Sequence, residues 1–308
     1  MTDWTIIAVR LGLYVSLSLL FGLAAFGLYG VRGRDHGNAL PLRAWLVASA
    51  VFALILSMAW MAITASAMAG TPVWPIDLQA VDALIAGSSI GLAWEIRIAS
   101  LLLAALAALF VAVHTGALLT VAIASAVALS TLAWIGHGAV DEGLPGWVHL
   151  VADILHLLAG GSWVGALAGL LLLLLRPASR TDAAHLALTH RALHGFGVIG
   201  TIIVLTIVMS GLVNSWLLVG FANLATIGST LYGLLLLAKL GLFGTMLGLA
   251  ALNRFHLTPG FETAMAANDH RAALATLRRS LAAETACVVL ILFLVAWIGT
   301  LSPPASAG

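Results

Sequence analysis

Three side chains able to hold a metal ion or a proton open one long apolar run. They are His149, Asp153 and His156, in His149-Leu-Val-Ala-Asp153-Ile-Leu-His156, and the apolar run continues to Leu175. Spacings of four and three residues put all three on one helix face. A rise of about 1.5 Å per residue sets His156 roughly 10 Å further along the helix axis than His149. Those two imidazoles therefore cannot easily chelate one ion. The pairs His149/Asp153 and Asp153/His156 can, provided another helix completes the site. His137, at the end of the preceding apolar run, is the nearest candidate in sequence.

A second set is Met58, Met61 and Met68, all in one apolar segment. Thioethers are soft and suit Cu(I), whereas imidazole and carboxylate suit Cu(II) and other divalent ions. A route from His and Asp at a rim to Met deeper down would suit copper and few other metals. Met209, followed by Asn214, is a further candidate. Three methionines in one apolar helix also read as ordinary packing. The pair Asp153/His156 also reads as two groups that merely hydrogen-bond each other.

The elements that must position these groups are membrane helices. Of the 308 residues, 62% are hydrophobic and only 8% charged; soluble domains carry about 25% charged residues. Eight segments reach the roughly 20 apolar residues a bilayer crossing needs. They lie near 4–30, 43–69, 93–113, 116–139, 149–175, 195–219, 229–251 and 280–301. The fold class expected is all-α: one transmembrane domain over 1–308, a bundle of eight helices. The first segment starts at Asp3 without a basic stretch and is long, so it reads as a retained span and not a cleaved signal. The one cysteine, Cys287, excludes a disulfide within the chain. No phosphate loop, nucleophile triad or CxxC is present.

Charge placement orients the bundle. Ten of the 13 Lys and Arg residues fall in three loops: Arg32, Arg34, Arg43; Arg176, Arg180, Arg191; and Arg254, Arg271, Arg278, Arg279. With eight spans these loops share one side, cytoplasmic by the positive-inside rule. Both termini are then expected on the outer side, with the mouth formed by His137, His149 and Asp153. Trp4, Trp74, Trp147 and Trp297 fit an outer aromatic belt and Trp45 an inner one. Residues 252–279 read as a short amphipathic surface helix ending in Arg278-Arg279, and 70–92 as a connection lying along the interface.

The other ionisable groups within spans are Arg10, Glu95, Arg97, Lys239 and Glu284. Such groups are costly at membrane depth unless paired. Ion pairing with Arg10 or Asp153 is the expected role of Glu95 and Arg97, and Glu284 reads as a weak partner nearer the cytoplasm. His185, His190, His194, His256 and His270 sit in or beside inner loops and are expected to be mostly solvated.

The stretch Asp153-Ile-Leu-His156-Leu-Leu-Ala-Gly-Gly-Ser-Trp163-Val-Gly165 resembles a signature of the CopD/PcoD family, bacterial inner-membrane copper-resistance proteins. Tyr232-Gly233 through Lys239, then Ala251-Leu-Asn253-Arg254, is similar to that family's later stretch. Ser210-Gly211 and Trp94-Glu95-Ile-Arg97 match further patterns. The resemblance covers most of the chain and is strongest over 149–255. One departure is Arg191-Ala-Leu-His194-Gly-Phe196, where the family often has an Arg-Phe-Ser-type stretch. The resemblance implies copper handling in the inner (plasma) membrane, with copper received on the periplasmic face. The sequence shows no counterpart of the periplasmic copper-binding domain fused to some relatives, which is consistent with the expected partner, a separate CopC-like periplasmic copper carrier. The lipid bilayer is the other partner, and no nucleic acid is expected.

The same stretches also look like HemJ, the membrane protoporphyrinogen oxidase family, in which His156 and Lys239 would be the haem-associated positions. The expected function is acceptance of copper at the periplasmic face and its transport into or across the membrane, without enzymatic turnover; the alternative is a haem-binding membrane oxidoreductase. His149, Asp153 and His137 would capture the ion, His156 would pass it inward, and Met61 and Met58 would offer a softer, deeper site. No ATPase motif is present, so transport would use the copper gradient, a proton or a relay to a partner, and Asp153 is a candidate proton carrier.

Overall fold

The computed structural model describes residues 4–30, 40–135, 143–176, 183–220, 227–267 and 271–304. Among them, eight helices are long and apolar enough to cross a membrane, as expected. They are α1 (Trp4–Gly30), α2 (Leu42–Ala69), α4 (Ser89–Leu109), α5 (Thr115–Ser130), α6 (Gly143–Leu174), α7 (Ala183–Val219), α8 (Leu231–Leu252) and α10 (Arg271–Ile298). Two shorter helices, α3 (Leu78–Gly87) and α9 (Thr258–Ala266), lie in connections. A 3₁₀ turn, Thr131–Ile135, extends α5, and a π-helical turn, Asn253–Leu257, joins α8 to α9. Helices are forced here because lipid offers no partner to backbone N–H and C=O groups.

Local sequence sets several ends. Gly70 stops α2 in the left-handed conformation, φ 67°, which costs a residue without Cβ little. Asp77 caps α3 by accepting from the Gln79 and Ala80 amides at 3.1 and 3.0 Å. Ser88 caps α4 through the Gly91 amide at 3.0 Å, so that helix begins four residues before the expected 93. The connection at 70–92 thus contains an ordered helix, and Asp77 serves it as a cap.

Three helices start well before their apolar runs. α6 begins at Gly143 instead of 149, α7 at Ala183 instead of 195, and α10 at Arg271 instead of 280. Apolarity marks where lipid begins, whereas 183–194 and 271–279 contain no Pro or Gly, and Pro145 lies in the first turn of α6, where its missing N–H is tolerated. With 37 residues, α7 extends about 55 Å, far beyond a hydrocarbon core of about 30 Å. The expected surface helix ending in Arg278-Arg279 is thus corrected. α9 stops at Ala266, and both arginines lie inside α10.

α1 is the central helix; α2, α5, α6 and α10 pack around it. Its crossing with α6 is a backbone contact. A Cβ on Gly165 would collide with the Gly22 backbone, and one on Gly22 with the Gly161 carbonyl. Small residues permit such approaches in membranes, where packing and not water exclusion holds helices together. α4 packs between α2 and α5, α7 lies on the other side of α6, and α8 packs on α10. Trp4 and Trp297 stack with ring centroids 5.4 Å apart, so the start of α1 and the end of α10 share one end of the bundle.

Candidate metal centre

The polar residues of α6 meet partners from α7 and α8. Asp153, which is 23% exposed, accepts a hydrogen bond from Asn214 Nδ2 of α7 at 2.6 Å. His149 is buried, and its Nε2 lies 3.9 Å from Asp153 Oδ2. That separation is loose for a hydrogen bond. It leaves the two groups on one face, one turn apart, as the i,i+4 spacing predicts. Asn214 Oδ1 is buried without a hydrogen-bond partner. An acceptor orphaned beside a carboxylate is a place for a cation.

One turn further along α6, His156 Nδ1 lies 3.0 Å from Ser210 Oγ. The Ser210 hydroxyl donates to the Thr206 carbonyl at 2.6 Å, so it accepts from His156. The proton then resides on Nδ1 and the Nε2 lone pair is left for a ligand. Gly211 makes room for this ring: a Cβ there would lie 3.4 Å from His156 Cε1. His156 and Lys239 of α8 line one cavity of about 400 Å³, walled otherwise mainly by apolar residues of α1, α6, α7, α8 and α10. Lys239 interacts electrostatically with both Asp153 and His156, and makes no ion pair among the described residues. Tyr232 feels the Asp153 charge as well.

The site therefore has two levels. The outer one offers oxygen and imidazole donors from His149, Asp153 and Asn214; the deeper one offers His156 at a cavity wall. Among the described residues no three His, Cys, Asp or Glu side chains converge closely enough to cage a metal ion. His137, expected to complete the outer level, lies outside the described residues.

The methionines are placed elsewhere. α2 packs principally on α1, α3 and α4. Met58 and Met68 are exposed on its outer surface, and Met61 is buried in a small cluster with Ala65 and Leu84. Met209 belongs to an exposed stripe of α7 with Ile202, Leu205, Leu212 and Trp216. The structure does not gather these thioethers with the α6 residues.

Other expectations need correction. Arg97 is fully buried but pairs with no carboxylate among the described residues. Its Nε and Nη2 donate to Thr131 Oγ1 and O at 2.7 and 3.2 Å, and its guanidinium lies 5.7 Å from the Trp60 ring centroid. Glu95 on the same helix is exposed. The 3₁₀ turn at Thr131 meets the arginine, a contact invisible in sequence because 34 residues separate the two. His185, expected to be solvated, is buried; its Nε2 lies 2.9 Å from the Leu173 carbonyl at the end of α6, with Arg176 at 3.0 Å from Nδ1. Asn214 and Ser210 are the positioning residues that sequence reasoning valued too little. Their signal was a polar residue at intervals of four in an apolar span.

Known families and proteins match the chain over most of its length. Residues 1–147 match the copper resistance protein D-like N-terminal domain, and residues 190–298 match the copper resistance protein D family. Copper resistance protein D of Pseudomonas syringae pv. tomato is 44% identical over 311 aligned residues, all of both chains. Inner membrane protein YebZ of Escherichia coli K12 is 28% identical over 84% of this chain and 86% of its own. Copper transport protein CutJ of Bacillus subtilis is 34% identical over 39% of this chain and 21% of its own. No solved structure matches. The chain is a multi-pass inner-membrane protein that belongs to the copper resistance protein D family.

Proposed function

We propose that the protein accepts copper at its periplasmic face and carries it into or across the inner membrane. The observation that supports this most is the pairing of Asp153 with Asn214 beside His149, one turn above His156 at a cavity wall. Polar side chains from two spans, α6 and α7, converge at membrane depth with Lys239 of α8 nearby, where each is costly unless it serves a pathway. In this reading His149, Asp153 and Asn214 capture the ion, with His137 as the fourth donor expected from its position in the chain. His156 Nε2 receives the ion next. The positive-inside distribution of Arg residues supports a periplasmic position for this mouth and both termini, where a CopC-like carrier would deliver copper.

Lys239 has a role in this reading too. Its amine, when protonated, compensates the Asp153 carboxylate while the site is empty. An arriving copper ion replaces that compensation, so the two cations compete for one field. The methionines of α2 form no part of this proposed route.

The test is copper uptake by proteoliposomes holding wild type, Asp153→Asn or His156→Ala. Both variants should lose uptake while remaining folded; wild-type uptake in both would sink the site assignment.

A rival reading has one specific support: His156 and Lys239 line the same cavity, as a haem-binding oxidoreductase resembling HemJ would require. An absorption spectrum of the purified protein separates the two. A Soret band would favour haem, and bound copper without one would favour copper carriage.

A further inference from the structure

A second cavity, of about 520 Å³, lies between α6, α7, α8, α9 and α10. Its wall includes Glu284, which is only 2% exposed although it stands on the membrane helix α10, about one turn into its apolar run. Asn253 Nδ2 donates to Glu284 Oε2 at 2.9 Å. The indole N–H of Trp163 is directed at the same carboxyl, yet neither Trp163 Nε1, Glu284 Oε1 nor Asn253 Oδ1 completes a hydrogen bond. Glu284 makes no ion pair among the described residues.

Two of these orphans, Glu284 Oε1 and Asn253 Oδ1, have one common remedy. A proton on Oε1 turns that oxygen into a donor facing an amide oxygen that lacks one. Acid and amide then complement each other, N–H to Oε2 and O–H to Oδ1. Without that proton the carboxylate has two neutral donors, Asn253 and Trp163, and no cation. The same three residues thus support both protonation states, and a full negative charge at this depth is the expensive one. Asn253 is also the first residue of the π-helical turn, an irregularity that recurs at functional sites.

The cavity reaches solvent-facing residues. His190 and His194 of α7, Arg254 of the π turn and Glu262 of α9 are the titratable or charged groups lining it; α6 and α8 contribute none. His194, Arg254 and Glu262 are exposed, and His190 Nε2 lies 3.7 Å from Glu262 Oε2. Arg254 donates to Thr201. At the other end, Trp163 is a wall residue both of this cavity and of the one that His156 and Lys239 line. Its ring packs edge-on against Phe196, centroids 5.4 Å apart. One indole is therefore shared by the walls of two cavities.

We propose that Glu284 is a proton-exchanging carboxyl coupled to copper passage, loaded and unloaded through the cavity that His190 and His194 line. This rests on the copper-carriage reading above. One proton binds Glu284 Oε1 and leaves from it; no other bond changes. A copper ion beyond Trp163 favours the carboxylate, and its departure favours the acid. Linkage then makes proton and copper oppose each other at the two faces of Trp163.

The test uses the full chain in proteoliposomes, with copper ions as the probe. Infrared titration without copper should show a protonated-carboxyl band in wild type that is missing in Glu284→Gln, whose amide preserves shape. Copper flux in wild type should respond to a pH gradient, by up to about tenfold per pH unit for one coupled proton. Glu284→Gln should abolish that response while keeping copper binding at His149 and Asp153. Should that variant fail to fold, Asn253→Ala must instead shift the midpoint of the band. An infrared spectrum identical in wild type and Glu284→Gln overturns the proposal, as does an unmoved midpoint in Asn253→Ala. Copper flux in wild type without any proton movement overturns the coupling alone. A titrating band in a protein that moves no copper overturns the copper-carriage reading, and leaves proton exchange at Glu284 standing.

Discussion

Arg97 and Asp153 are both ionisable groups inside spans, and they live differently. Arg97 is enclosed: fully buried, with Nε and Nη2 bonded to Thr131, the Trp60 ring nearby and Nη1 left without a hydrogen-bond partner. Asp153 is partly open, with one firm donor in Asn214, a loose contact to His149, and a cavity beginning one turn away at His156. A charge whose partners close around it holds helices together. A charge left half-satisfied beside space is available to something that arrives. The same contrast separates the two halves of the molecule: α1, α2, α4 and α5 frame the enclosed arginine, whereas α6, α7, α8 and α10 line both cavities.

The comparison predicts opposite phenotypes. The largest effect belongs to Asp153→Asn combined with His156→Ala. Copper affinity by titration should fall by more than the roughly 100-fold upper limit typical of outer-shell changes, with thermal stability hardly altered. Arg97→Met should do the reverse. It removes both bonds to Thr131, whose hydroxyl keeps only the Ala128 carbonyl, and should cost on the order of 2–3 kcal/mol of stability, while copper bound per folded molecule stays at the wild-type level. Loss of copper binding in folded Arg97→Met would erase the distinction.

Asn214→Leu sharpens the contrast, because it keeps the carboxylate and removes both its hydrogen-bond donor and the neighbouring amide oxygen. Copper affinity should drop about 10–100-fold, less than for loss of Asp153. Gly165→Val probes the frame beneath both regions. Overpacking the Gly22 contact should cost about 1–3 kcal/mol, read in thermal unfolding. The smallest effect is expected for Met58→Leu and Met68→Leu, whose exposed side chains lie on α2 away from the α6 cluster. Unchanged copper affinity is expected, and a clear loss would bring α2 back into the route.

The sequence announces the spans because apolar length is a property of one segment at a time. Helix ends at Ala183 and Arg271 escaped it, since lipid contact and helical hydrogen bonding stop at different places. Asp153 and His156 were legible because both lie on one helix at turn spacing. Their partners Asn214 and Ser210 were not, because residues 61 and 54 positions away pair only through the crossing of α6 and α7. Glu284, Asn253 and Trp163 come from α10, the π turn and α6, so no local pattern could unite them. Met58, Met61 and Met68 misled for the complementary reason. Their shared segment is legible, but which way its faces turn depends on α1, α3 and α4.

Metal content and absorption of the purified protein test the central claim most directly. Wild type incubated with copper and passed through a desalting column should retain it in proportion to chain, without a Soret band, and Asp153→Asn/His156→Ala should retain none. Wild-type copper content in that double variant would contradict the account.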